Sequence, residues 1–181
     1  LLTLKLAGGT DWGLPNPYLH DPRGPGTAKM KLVFDSLLEA DEEGDIPWLA
    51  EDWSIEGNTY TFTINQNAMF HDGERVTTED IAFTIDYYKK YPPVTNYLAG
   101  AQGNIISSYE IVDDTTIRIT VHEPLANTLV QLGSFTILPK HIWEKVEDPY
   151  TFNEPEALIG CGPYKLGTYD PATGSYEFIA F

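Results

Sequence analysis

The side chains that most often do chemistry in proteins are few and scattered in this sequence. The four histidines are His20, His71, His122 and His141, and no His-Glu-x-x-His spacing sets two imidazoles on one helical face for zinc. The one cysteine, Cys161, has no neighbouring base or cation in sequence that would lower its pKa. No Gly-x-Ser-x-Gly elbow presents a serine nucleophile. We therefore predict a protein that is not an enzyme, with no catalytic residue, no metal ligand and no cofactor.

His71 lies in a motif that indicates local architecture. Phe-His-Asp-Gly at 70–73 supplies turn residues after an alternating strand pattern. Thr77 can then N-cap a helix over 79–90, with Asp80 as a shortened capping-box partner. We predict that His71 is a hydrogen-bonded structural residue.

Cys161 lies in a second motif, Gly-Cys-Gly-Pro-Tyr at 160–164. Two glycines and a proline fix the backbone as the chain enters a predicted strand over 164–169. A phosphate cradle would need a helix after those glycines, so the motif does not indicate a nucleotide site. We predict that Cys161 is a buried structural thiol.

Recognition is the chemistry that remains, and it points to residues 11–20, Asp-Trp-Gly-Leu-Pro-Asn-Pro-Tyr-Leu-His. The segment is unusually aromatic for a solvated connection, and its two prolines hold the groups in place before a ligand arrives. These features favour a rigid binding wall. The alternative is that Trp12 and Tyr18 simply cover the edge of the core.

The charge of the chain excludes one class of partner. Eleven Lys and Arg residues stand against 27 Asp and Glu residues, for a formal net charge of −16. Nucleic acid and anionic lipid surfaces bind mainly through Lys and Arg, so neither is a predicted partner. The acidic run at 39–45 lacks the spacing of a calcium loop and is interpreted as a solvated loop. No apolar run of about 18 residues could span a membrane.

The elements that must position these residues predict an α+β fold without repeats. A first strand starts at Leu1, and the spacing of Met30, Val33, Phe34, Leu37 and Leu38 predicts a helix with one buried face. The other predicted strands cover 59–64, 105–112, 115–121, 164–169 and 175–181, and the other predicted helices cover 79–90, 125–132 and 140–146.

Seven segments, taken in order, resemble the extracellular solute-binding proteins that feed the oligopeptide, dipeptide and nickel branch of ABC importers. They are Leu-Val-Phe-Asp-Ser-Leu-Leu at 32–38, Ile-Pro-Trp-Leu-Ala-Glu-Asp-Trp at 46–53, Tyr-Thr-Phe-Thr-Ile at 60–64, the segment 70–83, Asp-Asp-Thr-Thr-Ile-Arg-Ile-Thr at 113–120, Ile-Leu-Pro-Lys-His-Ile-Trp at 137–143 and the Gly-Cys-Gly-Pro-Tyr motif. That family usually has Thr where Cys161 stands.

The resemblance implies a mixed sheet with packed helices, forming part of the first lobe of a two-lobed periplasmic-binding-protein-like fold (class II, type C). Residues 1–181 would be the N-terminal lobe, with a subdomain over about 32–160, and the second lobe would be absent from this chain. The implied function is that of an importer's substrate-binding component, a monomer outside the cytoplasm that delivers a peptide or similar solute to ABC permease subunits. Its export signal or lipid anchor would lie upstream.

The resemblance also implies a site. The loop after the first strand borders the cleft between the lobes in this family, which makes Trp12, Tyr18, Leu19 and His20 candidate solute contacts. Tyr97 and Phe135 are candidates by their place between matched segments. Neither 91–97 nor 133–136 contains the arginine with which the nickel branch holds a metal chelate. A nickel chelate, an oligosaccharide, a secreted enzyme, a carbohydrate-binding module with an aromatic platform and a structural domain remain alternatives.

Overall fold

The computed structural model describes residues 2–7, 10–42, 44–101 and 103–181. In these ranges helices pack on antiparallel sheets, and the predicted α+β fold is confirmed. The strands are β1 (Thr3–Ala7), β2 (Leu38–Asp41), β3 (Gly44–Pro47), β4 (Ala50–Glu56), β5 (Thr59–Ile64), β6 (Ala99–Gly100), β7 (Gly103–Asn104), β8 (Ile106–Ile111), β9 (Thr116–Val121), β10 (Tyr164–Asp170) and β11 (Ser175–Ala180). The helices are α1 (Gly24–Val33), α2 (Thr78–Lys90), α3 (Thr128–Ser134) and α4 (Lys140–Trp143), and a 3₁₀ turn covers Pro155–Leu158.

A four-stranded antiparallel sheet with the order β4-β5-β9-β8 forms one side of the core. The predicted alternation along β5 is confirmed, because Tyr60, Phe62 and Ile64 are buried while the threonines between them are half-buried. Phe62 pairs with Ile117 on β9, and both side chains are fully buried. The predicted hairpin of β8 and β9, which turns at residues 113–114, is likewise confirmed.

A second sheet has the order β1-β11-β10. It confirms the predicted final hairpin, and it adds β1 at the edge, where Leu4 pairs with Phe178. Every strand pair in the described ranges is antiparallel, so the parallel pairs that a mixed sheet would add are not among them. Four residues covered by the sequence predictions, Leu1, Gly8, Gly9 and Glu43, lie outside the described ranges.

Helix α1 corrects the predicted first helix. It begins at Gly24, with Pro25 in its first turn, and ends at Val33, after which Phe34 is extended with φ −120° and ψ 126°. Leu37 and Leu38 are therefore not on that helix, since Leu38 opens β2. All the apolar residues used in the prediction are nevertheless buried.

Pairing with distant segments explains why α1 stops. Ser36 forms a bridge with Thr136, and the Leu37 carbonyl accepts from the Ala50 N–H at 2.8 Å. These contacts use backbone groups that a longer helix would have paired internally.

The two later helices differ from their predicted bounds. Helix α3 starts three residues later than predicted, and Gly133, which is predicted to close it, lies inside it. A Cβ atom at Gly133 would lie 2.9 Å from the Leu38 Cβ, so the close packing on Leu38 favours glycine there. Helix α4 ends at Trp143, where residues up to Val146 continue as turns. Among the helices of the described ranges, none is both long and apolar enough to cross a bilayer.

Candidate functional site

The first loop, defined here as residues 10–23 between β1 and α1, folds back on its own backbone. Gly13 and His20 form an antiparallel bridge inside it. Gly13 has φ +75°, and a Cβ atom built there would lie 2.2 Å from the Leu19 carbonyl oxygen. Only glycine allows this close approach of the two arms of the loop.

Asn16 organises the centre of the first loop. It is fully buried between Pro15 and Pro17, and its Oδ1 accepts from the N–H groups of Tyr18 and Leu19, each at 2.9 Å. An asparagine side chain that bonds to the backbone two and three residues on stabilises a tight turn. The loop is therefore built in advance of any ligand.

The Asp11 carboxylate ties the first loop to the hairpin of β10 and β11. Its Oδ1 accepts from the Tyr169 hydroxyl at 2.6 Å and from the Gly13 N–H at 2.9 Å, and the Tyr176 hydroxyl lies 3.1 Å away. The Tyr169 hydrogen bond, more than any other contact, lowers the pKa of Asp11. The carboxylate is thus ionised and stabilises the base of the loop.

Trp12 is half-buried at the edge of this cluster. Its backbone N–H donates to the Tyr176 hydroxyl at 2.9 Å. The Arg23 guanidinium carbon and the Lys29 Nζ each lie 5.9 Å from the centroid of its ring, within reach of cation–π attraction. The ring is held in place and retains solvent-facing surface.

Tyr18 points into the lobe. Only 4% of it is exposed, and its hydroxyl donates to the Tyr91 carbonyl at 2.8 Å. The ring lies 5.4 Å from the Trp143 ring and meets Tyr150 edge-on at 5.5 Å. Burial raises the pKa of Tyr18 far above its usual value. Tyr18 therefore supports the first loop from within the core. This position agrees with the alternative interpretation, in which Tyr18 covers the edge of the core.

His20 is also buried. Its Nδ1 donates to the Asn16 carbonyl at 2.8 Å, and its Nε2 lies 3.5 Å from the Thr95 hydroxyl. Burial lowers the pKa of His20 below its ordinary value, which favours the neutral ring with the proton on Nδ1. The histidine therefore joins the first loop to the segment after α2.

That segment, residues 91–98, contains Tyr97. The Val94 N–H donates to the Pro17 carbonyl at 3.0 Å, so the segment lies directly against the first loop. Tyr97 is half-buried, as is Leu19, whereas Phe135 is 1% exposed and belongs to the core. As solute contacts all six residues stay a prediction, and the ones with accessible surface are Trp12, Leu19 and Tyr97.

The two sequence motifs meet at His71, although they are about ninety residues apart. Its Nε2 donates to the Gly162 carbonyl at 2.9 Å, its Nδ1 accepts from the Gly160 N–H at 3.3 Å, and its own N–H donates to the Gly160 carbonyl at 2.9 Å. A Cβ atom at Gly160 would lie 2.1 Å from the Val33 carbonyl oxygen. The predicted structural role of His71 is confirmed.

Cys161 is buried, and burial raises the pKa of its thiol well above the ordinary value. Such a thiol is a poor nucleophile. In the described part of the chain, no group of three or more His, Cys, Asp or Glu side chains could hold a metal ion.

Three residues that organise this region were missed by sequence reasoning. Asn16 had a usable signal, because an asparagine between two prolines is typical of a constrained turn. Tyr176 and Lys29 had none, since each reaches the first loop from an element that is distant in sequence.

A sequence profile described as "Bacterial extracellular solute-binding proteins, family 5 Middle" matches residues 46–177. The chain belongs to this family. Its fold matches part of the two-lobed periplasmic-binding-protein-like architecture of the solved family 5 proteins. The predicted resemblance is thereby confirmed, and the homologues of the chain are solute-binding transport proteins.

Three similar proteins illustrate the family. The probable peptide-binding protein YejA of Agrobacterium fabrum is 29% identical, over 97% of this chain and 30% of the relative. NikZ from Campylobacter jejuni, solved in complex with Ni(L-His), is 30% identical with a TM-score of 0.71, over 89% of this chain and 32% of its own. DppA from Helicobacter pylori, solved with the peptide STSA, is 26% identical with a TM-score of 0.69, over 90% of this chain and 36% of DppA. This family 5 chain thus spans about a third of the length of these proteins.

Proposed function

We propose that the chain is part of the substrate-binding component of an ABC importer, which captures a peptide or similar small solute outside the cytoplasm and delivers it to the permease. The observation that carries this proposal is the first loop. It is an aromatic segment built in advance of a ligand, on a lobe of the family 5 fold. Binding walls of this kind lose little conformational entropy when a ligand arrives.

A peptide solute is favoured by two observations. The relatives include proteins named for peptide binding, among them the Agrobacterium protein at 29% identity. Around the first loop, the candidate side chains with accessible surface are Trp12, Leu19 and Tyr97. These aromatic and apolar groups can pack against the apolar parts of a short peptide.

A nickel chelate is the second candidate, because the Campylobacter relative binds Ni(L-His) at a similar level of identity. The absence of arginine from residues 91–97 and 133–136 argues against a chelate held by an arginine there. The proposal further includes a protein with no catalysis of its own, acting as a monomer and held at the membrane by an upstream lipid anchor.

Calorimetric titration of the full-length protein tests the solute. The ligands are a library of tri- and tetrapeptides, nickel with histidine, and short oligosaccharides. We expect a peptide to bind, and Trp12→Ala to weaken that binding at least tenfold, as interface aromatics often do. Trp53→Ala is the matched control, because Trp53 is half-buried on β4, outside the first loop. Binding of the nickel chelate alone would select the second candidate, and an unchanged affinity in Trp12→Ala would remove the first loop from the site.

A further inference from the structure

Lys29 is a buried cation to which the described part of the chain offers no anion. Only 8% of the residue is exposed, and its Nζ makes no hydrogen bond or ion pair among the described residues. Burying an ammonium group without a partner is costly. The chain has 27 acidic residues, so a carboxylate partner would have been easy to supply.

Another charged residue that is buried, Asp80, has the partners that Lys29 lacks. Asp80 is 5% exposed, and its carboxylate accepts three hydrogen bonds, two from Thr77 and one from the Lys140 N–H. Lys31, two residues from Lys29 on the same helix, pairs with Glu39 at 2.9 Å. The fold therefore provides partners for comparable charges and leaves Lys29 without one.

The surroundings of Lys29 are aromatic. Its Nζ lies 4.9 Å from the centroid of the Tyr176 ring and 5.9 Å from that of Trp12. The nearby charged groups are already paired, since Asp11 accepts from Tyr169 and Arg23 forms two hydrogen bonds with Asp21. Among the described residues, two fully enclosed side-chain nitrogens have no hydrogen-bond partner, Asn16 Nδ2 and Trp143 Nε1. The Lys29 Nζ is not one of these enclosed atoms. The Lys29 Nζ therefore retains some accessible surface.

We propose that Lys29, together with the rings of Trp12 and Tyr176, forms a subsite for a carboxylate group of the solute. This inference rests on the proposed function, because it uses the same first loop, and it narrows the solute class to molecules with a free carboxylate such as an unblocked peptide. The single buried ammonium can pair with one carboxylate. The rings of Trp12 and Tyr176 can then pack against an apolar side chain of the same solute. A phosphate group would need more donors than the single Lys29 ammonium provides.

Comparison of free acids with amides tests the subsite. The peptide library is made twice, with free C-terminal carboxylates and with C-terminal amides, and both sets are titrated into the full-length protein. We expect the acids to bind at least tenfold more tightly, since a hydrogen bond to a charged group contributes about that factor. This comparison in the unchanged protein does not depend on how any variant folds.

Two variants locate the effect. Lys29→Met keeps most of the aliphatic stem and removes the charge, and we expect it to bind acids and amides equally. Lys31→Met is the matched control on the same helix and should keep the preference for acids. Peptide binding whose acid preference survives Lys29→Met overturns the subsite and leaves the proposed function intact, whereas a protein that binds no peptide in either form overturns both.

The pKa of Lys29 distinguishes two possible sources of the anion, a carboxylate of the solute and a carboxylate elsewhere in the full-length protein. Burial lowers the pKa of Lys29, and a carboxylate beside the ammonium raises it again. NMR titration of the Lys29 side chain should show a higher pKa in the presence of an acid peptide than in its absence. A pKa that is unchanged by the peptide, with equal binding of acids and amides, would mean that the protein supplies the anion itself and would overturn the proposal.

Discussion

Tyr18 is an aromatic residue of the first loop whose ring and hydroxyl both face inward. Its ring packs against Trp143 and Tyr150, and its hydroxyl is satisfied by the Tyr91 carbonyl. We expect Tyr18→Ala to lower the free energy of unfolding by about 3–5 kcal/mol, as for other large buried aromatics. Tyr18→Phe should cost only about 1 kcal/mol, the net value of the lost hydrogen bond. Urea denaturation measures both, and a cost near zero for Tyr18→Ala would show that the ring is accessible to solute.

We expect Asp35 to make the stability of the chain depend on pH. It lines a cavity of about 320 Å³ with Trp48, Met69 and Cys161, and burial raises its pKa from 3.8 to about 7, against the opposing effect of a hydrogen bond from the Trp48 side chain. A carboxyl group whose pKa is higher in the folded state than in the unfolded state contributes its full stabilisation at pH values below the unfolded-state pKa. That contribution is lost as the pH rises to the folded-state pKa.

The expected signature lies between pH 4 and pH 7. Across this window the unfolding free energy of the unchanged protein should fall relative to that of Asp35→Asn by about 1 kcal/mol or more, because a one-unit difference in pKa corresponds to about 1.4 kcal/mol. Above pH 7 the difference should level off. Urea titrations of both proteins at several pH values measure it, and parallel stability curves across the window would contradict the raised pKa.

We expect the start of helix α2 to depend on Asp80 more than on Thr77. The two residues form a capping box, in which the Asp80 carboxylate accepts from the Thr77 N–H at 2.9 Å and also from the Lys140 N–H, joining α2 to α4. We expect Thr77→Ala to cost about 0.5–2 kcal/mol. Asp80→Ala should cost more, because it leaves buried donors on two elements unpaired. Thermal melts of both variants decide the order, and a larger loss for Thr77→Ala would refute it.

Elements whose signals are local could be predicted from the sequence, and elements defined by distant contacts could not. The capped start of α2 and the hairpin of β8 and β9 follow from residues within a few positions of each other. The predicted start of the first helix is too late because Gly-Pro-Gly at 24–26 is typical of a loop. Its predicted end is too late because spacings of three and four residues continue to Leu37 and Leu38, which are buried in a segment that pairs like a strand.

The same division holds for the candidate site. The aromatic content and prolines of the first loop mark it in the sequence. Which of its rings face inward is determined by partners far along the chain, such as Tyr91 for Tyr18 and Tyr176 for the Trp12 backbone. The aromatic pattern of the loop therefore predicts a wall without predicting which side chains form its surface.

At the scale of the whole molecule, both main sheets share one hydrophobic core. Phe62 of the four-stranded sheet, Phe178 of the three-stranded sheet and Leu37 between them all belong to the same buried cluster. His71 adds hydrogen bonds between the motif after β5 and the entry to β10. A continuous core of this kind should unfold as one cooperative unit, so we expect the isolated chain of 181 residues to fold.

Folding and binding should nevertheless separate in that isolated chain. It spans about a third of the length of its relatives, and a solute enclosed between two lobes gains contacts from both. Every tenfold in dissociation constant corresponds to about 1.4 kcal/mol, so the loss of one wall should weaken binding by several orders of magnitude. Calorimetry of the isolated chain and the full-length protein against the same peptide measures the ratio, with a cooperative urea transition of the isolated chain as the control for folding. Equal affinities would place every solute contact within these 181 residues, and the cleft between two lobes would then not be the site of binding.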